Sequence, residues 1–206
     1  MNEQLLDRCG NLLAECFWEE PGVKAQCRGI PDGLSIFQKQ CRGQARAFFC
    51  LGRLEIFGDI DGVTMGYFSA EETRLAELLR EELGQLLATF PARDLQAMQE
   101  NSQAVLEIAR PAWYRAHLDP AQEVYVLQAV AVRKERRGTG VFRKLLTPLM
   151  EEAAGRNCPV VLQTFERETA EKYQHMGFRL LETIPSQTLP LTAYNLMWRR
   201  ADRVEG

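Results

Sequence analysis

The most constraining feature of this chain is a strand-like apolar run that ends in a basic glycine loop. Residues 123–132 read EVYVLQAVAV, a run rich in β-branched side chains that predicts a buried strand. RKERRGTG follows at residues 133–140, and VFRK at residues 141–144 begins a helical apolar pattern. The sequence therefore predicts a strand, a turn and a helix in direct succession.

The glycines of this loop suit an anion-binding site. Gly138 and Gly140 lack the Cβ atoms that would hold a ligand away, so the backbone N–H groups that open the next helix can point at one anionic group. The chain has a net charge of -3, yet six basic residues lie in or beside this loop: Arg133, Lys134, Arg136, Arg137, Arg143 and Lys144. The pattern favours a phosphate as the ligand.

Two familiar phosphate loops are excluded by the spacing. The sequence has no GxGxxG, which argues against a Rossmann dinucleotide site, and no GxxxxGK[ST], the P-loop of nucleoside triphosphatases. A solvated basic turn that binds nothing is the alternative that the loop by itself leaves open.

The loop resembles the pyrophosphate-binding motif of the GNAT superfamily of acyl-CoA-dependent N-acetyltransferases, Gln/Arg-x-x-Gly-x-Gly/Ala. Arg137 takes the first place of the motif and Gly140 its first glycine. Phe142 stands where the family usually has a second glycine or an alanine. Because phenylalanine is larger than glycine or alanine, this departure affects how closely the loop can surround the ligand.

A second segment with family character lies downstream at the matching distance. Tyr173, Gly177 and Phe178 look like the Tyr-x-x-x-Gly-Phe segment of the GNAT superfamily. The specific motifs are thus confined to the C-terminal half, whereas the first 110 residues match the family only in the order of their predicted elements.

Periodicity predicts the remaining elements. Helices are expected at residues 5–17, from Asp32 or Ser35 to about Phe49, at 71–90, from the glycine loop to Gly155 and at 168–175, with weaker helical patterns over 94–99 and 102–109. Residues 54–70 read as a hairpin with Asp61-Gly62 as its turn, and three further strands are expected at 158–165, from Phe178 and over 191–200. Trp113, Tyr114 and His117 are interpreted as a buried aromatic corner, with part of an acceptor pocket as the alternative.

This order of elements matches the GNAT layout. The resemblance implies an α/β (α+β) fold with a mixed, mostly antiparallel central sheet of six to seven strands, flanked by helices and with a helical insertion before the central strand. The chain has 206 residues, 46% of them hydrophobic and 26% charged, and no linker or repeat divides it. We therefore expect one GNAT-like domain over residues 1–206.

The resemblance also implies where acetyl-CoA binds. The backbone of Val130, Ala131 and Val132 would hydrogen-bond the pantetheine and the thioester carbonyl, while the glycine loop and Arg143 hold the pyrophosphate. The implied coenzyme-binding residues are Val130, Ala131, Val132, Arg137, Gly138, Thr139, Gly140, Val141, Phe142 and Arg143.

Tyr173 is the implied catalytic residue. A phenol, with an ordinary pKa of about 10, can donate a proton or a hydrogen bond to the leaving thiolate. The alternative is a helix tyrosine that only packs on the sheet. The general base stays open, because Gln128 occupies the strand position where a glutamate is expected, which leaves Glu123, Glu166 and Glu182 as candidates.

The sequence thus predicts an enzyme that moves an acetyl or short acyl group from acetyl-CoA to an amine, by direct attack in a ternary complex. A small-molecule amine is favoured as acceptor, and a protein lysine stays open. The alternative, which Gln128 and Phe142 keep open, is a catalytically degenerate protein that binds acyl-CoA as a sensor or interaction module.

Other partners are argued against by the composition. The six cysteines contain no CxxC pair and there are two histidines, so we expect reduced thiols and no metal site. The acidic net charge counts against nucleic acid, and the absence of a signal peptide or a long apolar run predicts a cytoplasmic protein without a membrane partner. Whether the protein is a monomer or a homodimer cannot be read from the sequence.

Overall fold

A computed structural model describes residues 3–200, apart from the side chains of residues 85–87. The α-helices are α1 (Glu3–Phe17), α2 (Pro21–Gln26), α3 (Gly33–Cys50), α4 (Glu72–Leu87), α5 (Ala92–Leu106), α6 (Val141–Gly155) and α7 (Arg167–His175). The strands are β1 (Leu54–Phe57), β2 (Gly62–Phe68), β3 (Tyr125–Val132), β4 (Val160–Thr164), β5 (Arg179–Pro185) and β6 (Thr192–Trp198). In the described part of the chain, no helix has the length and apolar character needed to cross a membrane.

The six strands form one sheet in the order β1-β2-β3-β4-β6-β5. Each neighbouring pair is antiparallel except β3 with β4, which run parallel because α6 provides the crossover between them. The mixed, mostly antiparallel sheet flanked by helices is confirmed, and α4 and α5 form the helical insertion before the central strand, β3.

The central strands β3 and β4 separate soon after they meet. Their register contains two pairs, Tyr125 with Val160 and Val126 with Val161. Beyond these pairs both strands continue, β3 as far as Val132 and β4 as far as Thr164, without facing each other in the ladder. A gap therefore opens in the middle of the sheet, toward the glycine loop that follows β3.

A β-bulge lies in β3 at the start of this gap. Met65 pairs with Ala129 while Gly66 pairs with Leu127, so Gln128 is an extra residue without a partner in β2. A bulge reverses which side chains point to which face. Accordingly Leu127 packs on the same side as α6, and Ala129 packs on the opposite side.

Two hydrophobic clusters hold helices on the two faces of the sheet. The first joins β3, β4 and β6 to α6 and α7, with Leu146 and Leu196 fully buried. The second joins β2 and β3 to α1, α3 and α4, with Phe48 and Val63 at its centre. We call these the α6 face and the α1 face of the sheet. The gap is therefore lined by different helices on its two faces.

The aromatic corner before β3 is buried as expected at Trp113 and Tyr114, whereas His117 is exposed. Trp113 and Tyr114 lie in a short 3-10 helix and pack edge to face, with ring centroids 6.0 Å apart. They contact Val161 of β4 and Met197 of β6. These two aromatic residues therefore support the sheet beside the gap.

Two helical elements differ from expectation. No helix is predicted over residues 21–26, yet Pro21 begins α2, because proline is favourable in the first turn and Glu20 Oε2 accepts a hydrogen bond from the Val23 N–H at 3.0 Å. The two weak patterns at residues 94–99 and 102–109 form the single helix α5, because Asn101 and its neighbours continue the helix between them.

Candidate active site

The gap between β3 and β4 exposes backbone hydrogen-bonding groups. The Arg133 N–H donates to the Asp61 carbonyl at 2.9 Å, which fixes the alternation of the antiparallel β2–β3 ladder. Ala131 directs its backbone groups toward β2 in that alternation. Val130 and Val132, one residue to either side, direct theirs toward the gap. Of the three strand residues singled out from the sequence, two therefore offer backbone groups to a ligand in the gap.

The far end of the gap is partly closed by protein contacts. The Val132 carbonyl accepts hydrogen bonds from Arg137 Nε at 3.3 Å and from the Cys16 thiol at 3.5 Å. Cys16 belongs to α1 and was not singled out by any sequence motif, since 116 residues separate it from Val132. Burial raises the pKa of the Cys16 thiol, although the Arg137 guanidinium beside it opposes this shift.

The glycine loop opens α6 with left-handed backbone at two positions. Gly138 has φ 77° and Gly140, the residue before the helix, has φ 83°. A Cβ atom at either position would meet no atom within 4 Å, so the loop is open on its outer side. The Thr139 hydroxyl donates to the Arg136 carbonyl at 2.7 Å and so holds the turn from within. The unpaired N–H groups of the first α6 turn are therefore accessible to an anion.

The basic residues around the loop fall into two groups. Arg133 donates to the Ile60 carbonyl, Arg136 pairs with Asp61 at 3.0 Å, and Arg137 donates to Val132. Within the described residues, Lys134, Arg143 and Lys144 form no ion pair. The arginines of the first group shape the loop, and the second group has its charge available for a ligand.

We expect Lys134→Ala and Arg143→Ala each to weaken CoA binding about tenfold at low salt, because each removes one charge-assisted contact to a phosphate. Isothermal titration calorimetry with CoA measures the loss, and raising the ionic strength should shrink the difference from the unmodified protein. Arg74→Ala is the matched control, since Arg74 is exposed on α4 and pairs with Glu77 at 3.1 Å. Equal losses in all three variants would contradict a phosphate site at the loop.

Tyr173 is buried on the α6 face, with 6% of its surface exposed. Its ring packs between Phe142 and Phe178, with ring centroids 5.3 Å away in each case. Burial raises the pKa of the Tyr173 phenol, so it stays protonated well above neutral pH. The Tyr173 hydroxyl is therefore protonated and can donate a hydrogen bond in an environment that excludes water.

Phe142 connects the glycine loop to this tyrosine. It lies in the first turn of α6, and its half-buried side chain joins the hydrophobic cluster of the α6 face. The ring meets Tyr173 edge to face at an interplanar angle of 62°. A large residue is thus accommodated where the motif usually has a small one, because its side chain packs inward and leaves the outer side of the loop open.

No protein-family model matches the sequence, and no curated protein matches it. Among solved structures, one described as histone acetyltransferase HPA2 and related acetyltransferase, from Corynebacterium glutamicum, superposes with a TM-score of 0.61 at 18% identity, over 98% of this chain and 94% of the other. The superposition thus extends over nearly the whole length of both chains. This chain has the GNAT acetyltransferase fold.

Two further similarities are weaker. A structure described as an acetyltransferase gives a TM-score of 0.46 at 16% identity, over 94% of this chain and 95% of the other. Arabidopsis thaliana NAA60, crystallised with a bisubstrate analogue, gives 0.38 at 16% identity. That match covers 45% of this chain and 59% of the NAA60 chain, so the two share only part of their length.

The three carboxylates considered as candidate bases lie at different places in this GNAT fold. Glu166 directly precedes α7, and its carboxylate accepts a hydrogen bond from the Thr169 hydroxyl at 2.7 Å. Glu182 of β5 lies 2.9 Å from His117 and 3.2 Å from Arg110. Glu123 precedes β3 at the end where β3 and β4 are still paired, away from the gap.

Glu20 is a further candidate base that the sequence patterns did not indicate. Burial raises the pKa of its carboxyl group; the Val23 N–H opposes this, and the negative charge of Glu166 adds to it. A Cβ atom on Gly22 would contact both the Glu20 carboxylate and the Phe165 ring. Glu20 therefore lies beside Phe165, the residue that follows β4. A glutamate before Pro-Gly carries no recognisable signal, so only the packing of α2 against Phe165 could reveal it.

Proposed function

We propose that this protein is an N-acyltransferase that moves an acetyl group from acetyl-CoA to the amine of a small molecule. The observation that carries the proposal is the gap between β3 and β4, which opens toward the glycine loop at the start of α6, with the buried Tyr173 on the α6 face of the sheet. The proposal assigns these three parts as an anion site, an extended channel and a proton donor. Those are the parts that a long, phosphorylated thioester requires.

Acetyl-CoA would bind with its pyrophosphate at the first turn of α6. The backbone N–H groups of Gly138, Gly140 and Val141 would face the ligand, whereas the Thr139 N–H donates to the Arg136 carbonyl at 3.4 Å. Lys134 and Arg143 would supply positive charge. The pantetheine would lie in the gap and bond the backbone of Val130 and Val132. An N–H directed at the thioester oxygen stabilises the negative charge that develops there as the amine attacks.

The chemistry is a direct transfer in a ternary complex. The neutral amine attacks the thioester carbonyl carbon, the C–S bond breaks, and the proton lost by the nitrogen passes to a base. Tyr173 donates a proton or a hydrogen bond to the departing thiolate sulfur. The products are an N-acetylated amine and CoA.

A covalent acyl-cysteine is disfavoured by the position and pKa of Cys16. Its thiol contacts Val132, at the loop end of the gap, rather than the bulge at Gln128, where the gap begins. Because burial raises the pKa of this thiol, little of it is thiolate at neutral pH. Direct attack on the thioester requires no such intermediate.

A small acceptor is supported by the packing on the α1 face. Val105 of α5 belongs to one cluster with Ala193 of β6, and Ala25 of α2 and Phe165 pack against it. These contacts cover the α1 face of the sheet beyond β4, so that part of the sheet is not free to receive an extended peptide. A protein lysine remains the second acceptor class.

The alternative function is binding of acyl-CoA without turnover. It is favoured by Gln128, which occupies the bulge with an exposed side chain that cannot accept a proton from an ammonium group. In that case acetyl-CoA would bind and no amine would be acetylated.

The deciding experiment combines calorimetry with a turnover assay. Acetyl-CoA should bind in the calorimeter. In the turnover assay, at least one compound from a panel of primary amines and lysine peptides should raise the rate of CoA thiol release above the rate of hydrolysis measured without an amine. Intersecting initial-rate lines, with no acetylated protein in the intact mass spectrum, would establish the ternary mechanism. Binding without turnover on any amine would support the sensor, and absence of acetyl-CoA binding would refute both functions.

A further inference from the structure

A chain of polar side chains crosses three strands on the α1 face of the sheet. The Gln163 side-chain amide on β4 donates to Asn195 Oδ1 on β6. Asn195 is fully buried, and its Nδ2 donates to Glu182 Oε2 on β5 at 2.7 Å. Glu182 also lies 2.9 Å from His117 Nε2 and 3.2 Å from Arg110.

The orientation of both amides follows from the carboxylate at the end of this chain. Burial opposes ionisation of Glu182, but hydrogen bonds from His117 and Asn195 and the charge of Arg110 lower the pKa of its carboxyl group. An ionised carboxylate only accepts hydrogen bonds, so Asn195 must turn its NH2 group toward Glu182. Its oxygen then faces Gln163, which must donate its own NH2 group.

The consequence is a hydrogen-bond acceptor of fixed orientation at Gln163, the end of this series of side chains opposite Glu182. With its NH2 group committed to Asn195, Gln163 presents its carbonyl oxygen, Oε1, on the other side of the amide. Within the described residues no donor reaches Oε1, and Gln163 is only half-buried. The hydrogen-bonded series of side chains therefore favours, at Gln163 Oε1, ligands that carry an N–H or O–H donor.

Gln163 lies at the gap. It follows Val161, the last β4 residue paired with β3, by two positions, and it shares the α1 face with Val161. Tyr173 lies on the α6 face, across the sheet. Gln163 therefore borders the gap on the face opposite to the one on which Tyr173 packs, so a donor held by Gln163 would approach a thioester in the gap from the α1 face.

We propose that Gln163 Oε1 binds an N–H of the acceptor amine, and that Glu182 and Asn195 act as positioning residues that keep this oxygen turned toward the gap. The inference rests on the proposed acyltransferase function and assigns the amine to the α1 face. It also gives Glu182 a role other than proton transfer. An amide cannot remove the proton of the ammonium group, so the base is a separate residue.

The test uses the smallest amine as probe and does not require the natural acceptor. In 1H–15N NMR spectra of the CoA-loaded protein, methylammonium should shift the Gln163 side-chain amide signal, which the Gln163→Met variant identifies by its disappearance. Tetramethylammonium, which has the same charge and no N–H, should leave the signal in place. No response to methylammonium, or the same response to both ions, would overturn the proposal.

The positioning role is tested with Glu182→Gln, which keeps the shape and removes the acceptor-only character. The side-chain amide of Asn195 can then rotate by half a turn, so that the Gln163 amide is no longer held in one orientation. The affinity for methylammonium, read from the Gln163 signal, should therefore fall about fivefold, the effect of losing one oriented hydrogen bond. Gln103→Met, on the exposed side of α5, is the control for the Gln163→Met substitution: it should remove a different amide signal and leave the one assigned to Gln163 in place. An unchanged affinity in a folded Glu182→Gln protein would remove the positioning role.

Two further outcomes separate this inference from the proposed function. A shift of the Gln163 signal on adding CoA alone, with none on adding methylammonium, would assign the oxygen to the pantetheine and overturn the proposal. Calorimetry with acetyl-CoA on the same samples tests the coenzyme site: a protein that binds no acetyl-CoA refutes the proposed function. One that binds acetyl-CoA without a methylammonium response refutes this inference alone.

Discussion

Gly138→Asp should weaken acetyl-CoA binding by about a hundredfold or more, because like charges brought together at a binding site cost several kcal/mol. Gly138 has φ 77°, and a side chain at this position would project into open space on the outer side of the loop. That space is where the pyrophosphate would bind. Aspartate is among the residues that tolerate left-handed backbone, so the charge rather than misfolding should dominate. Calorimetry with acetyl-CoA gives the affinity.

Gly52→Asp is the matched control for this variant. Gly52 has φ 76° and equally open surroundings. It precedes Arg53, which pairs with Glu152 in the last turn of α6, at the end of the helix opposite the glycine loop. Gly52→Asp should lower the melting temperature about as much as Gly138→Asp and leave the affinity for acetyl-CoA unchanged. If Gly138→Asp bound acetyl-CoA as tightly as this control, the loop could not be the pyrophosphate site.

Tyr173→Phe should lower kcat by about a hundredfold, within the range typical of a lost general acid, and change acetyl-CoA affinity less than about twofold. The ring contacts with Phe142 and Phe178 are kept in the variant, so the α6 face should stay packed. The hydroxyl is the only group removed. Steady-state kinetics with any amine that turns over, together with calorimetry, separates the two effects.

Tyr125→Phe serves as the control for the loss of a buried tyrosine hydroxyl. Tyr125 belongs to the same hydrophobic cluster as Tyr173 and packs edge to face on Phe68, with ring centroids 4.9 Å apart. It lies at the end of β3 that is paired with β4, outside the gap. Its removal should leave kcat unchanged. Equal kcat for Tyr173→Phe and the unmodified protein would remove the tyrosine from the mechanism.

The pH profile provides a second check on Tyr173. Burial raises the pKa of this phenol above its ordinary value of about 10. The acid form is therefore fully populated at every pH below that value, so Tyr173 adds no falling limb to kcat between neutrality and pH of about 10. A falling limb in this range that disappears in Tyr173→Phe would contradict the raised pKa of this phenol.

The local elements of the fold could be predicted from the sequence because their signals are local. Within residues 3–200, apolar periodicity located six of the seven α-helices, if only approximately for α5, and the β-branched run before the glycine loop located β3. The glycine loop followed from Gly138 and Gly140, since no other residue adopts positive φ so readily. The resemblance of this loop to the GNAT motif then gave the sheet type, which the structure confirms.

Other features of the site depend on contacts between distant segments. The bulge at Gln128 is determined by pairing with β2, where Gly66 leaves room for the Tyr125 ring, and nothing within EVYVLQAVAV marks it. Cys16 reaches Val132 because α1 packs across β3. Phe142 was a departure from a motif in the sequence, and only the packing of α6 on α7 brings its ring to Tyr173.

The sequence by itself therefore determined the order of helices and strands and the anion-binding character of one loop, since both arise from neighbouring residues. The tertiary structure alone decided which backbone groups face the gap and which basic side chains are already paired. It also decided that Gln163, Asn195 and Glu182 form one hydrogen-bonded chain. These properties depend on strand register and on the direction of each hydrogen bond, which exist only once β4, β5 and β6 lie side by side.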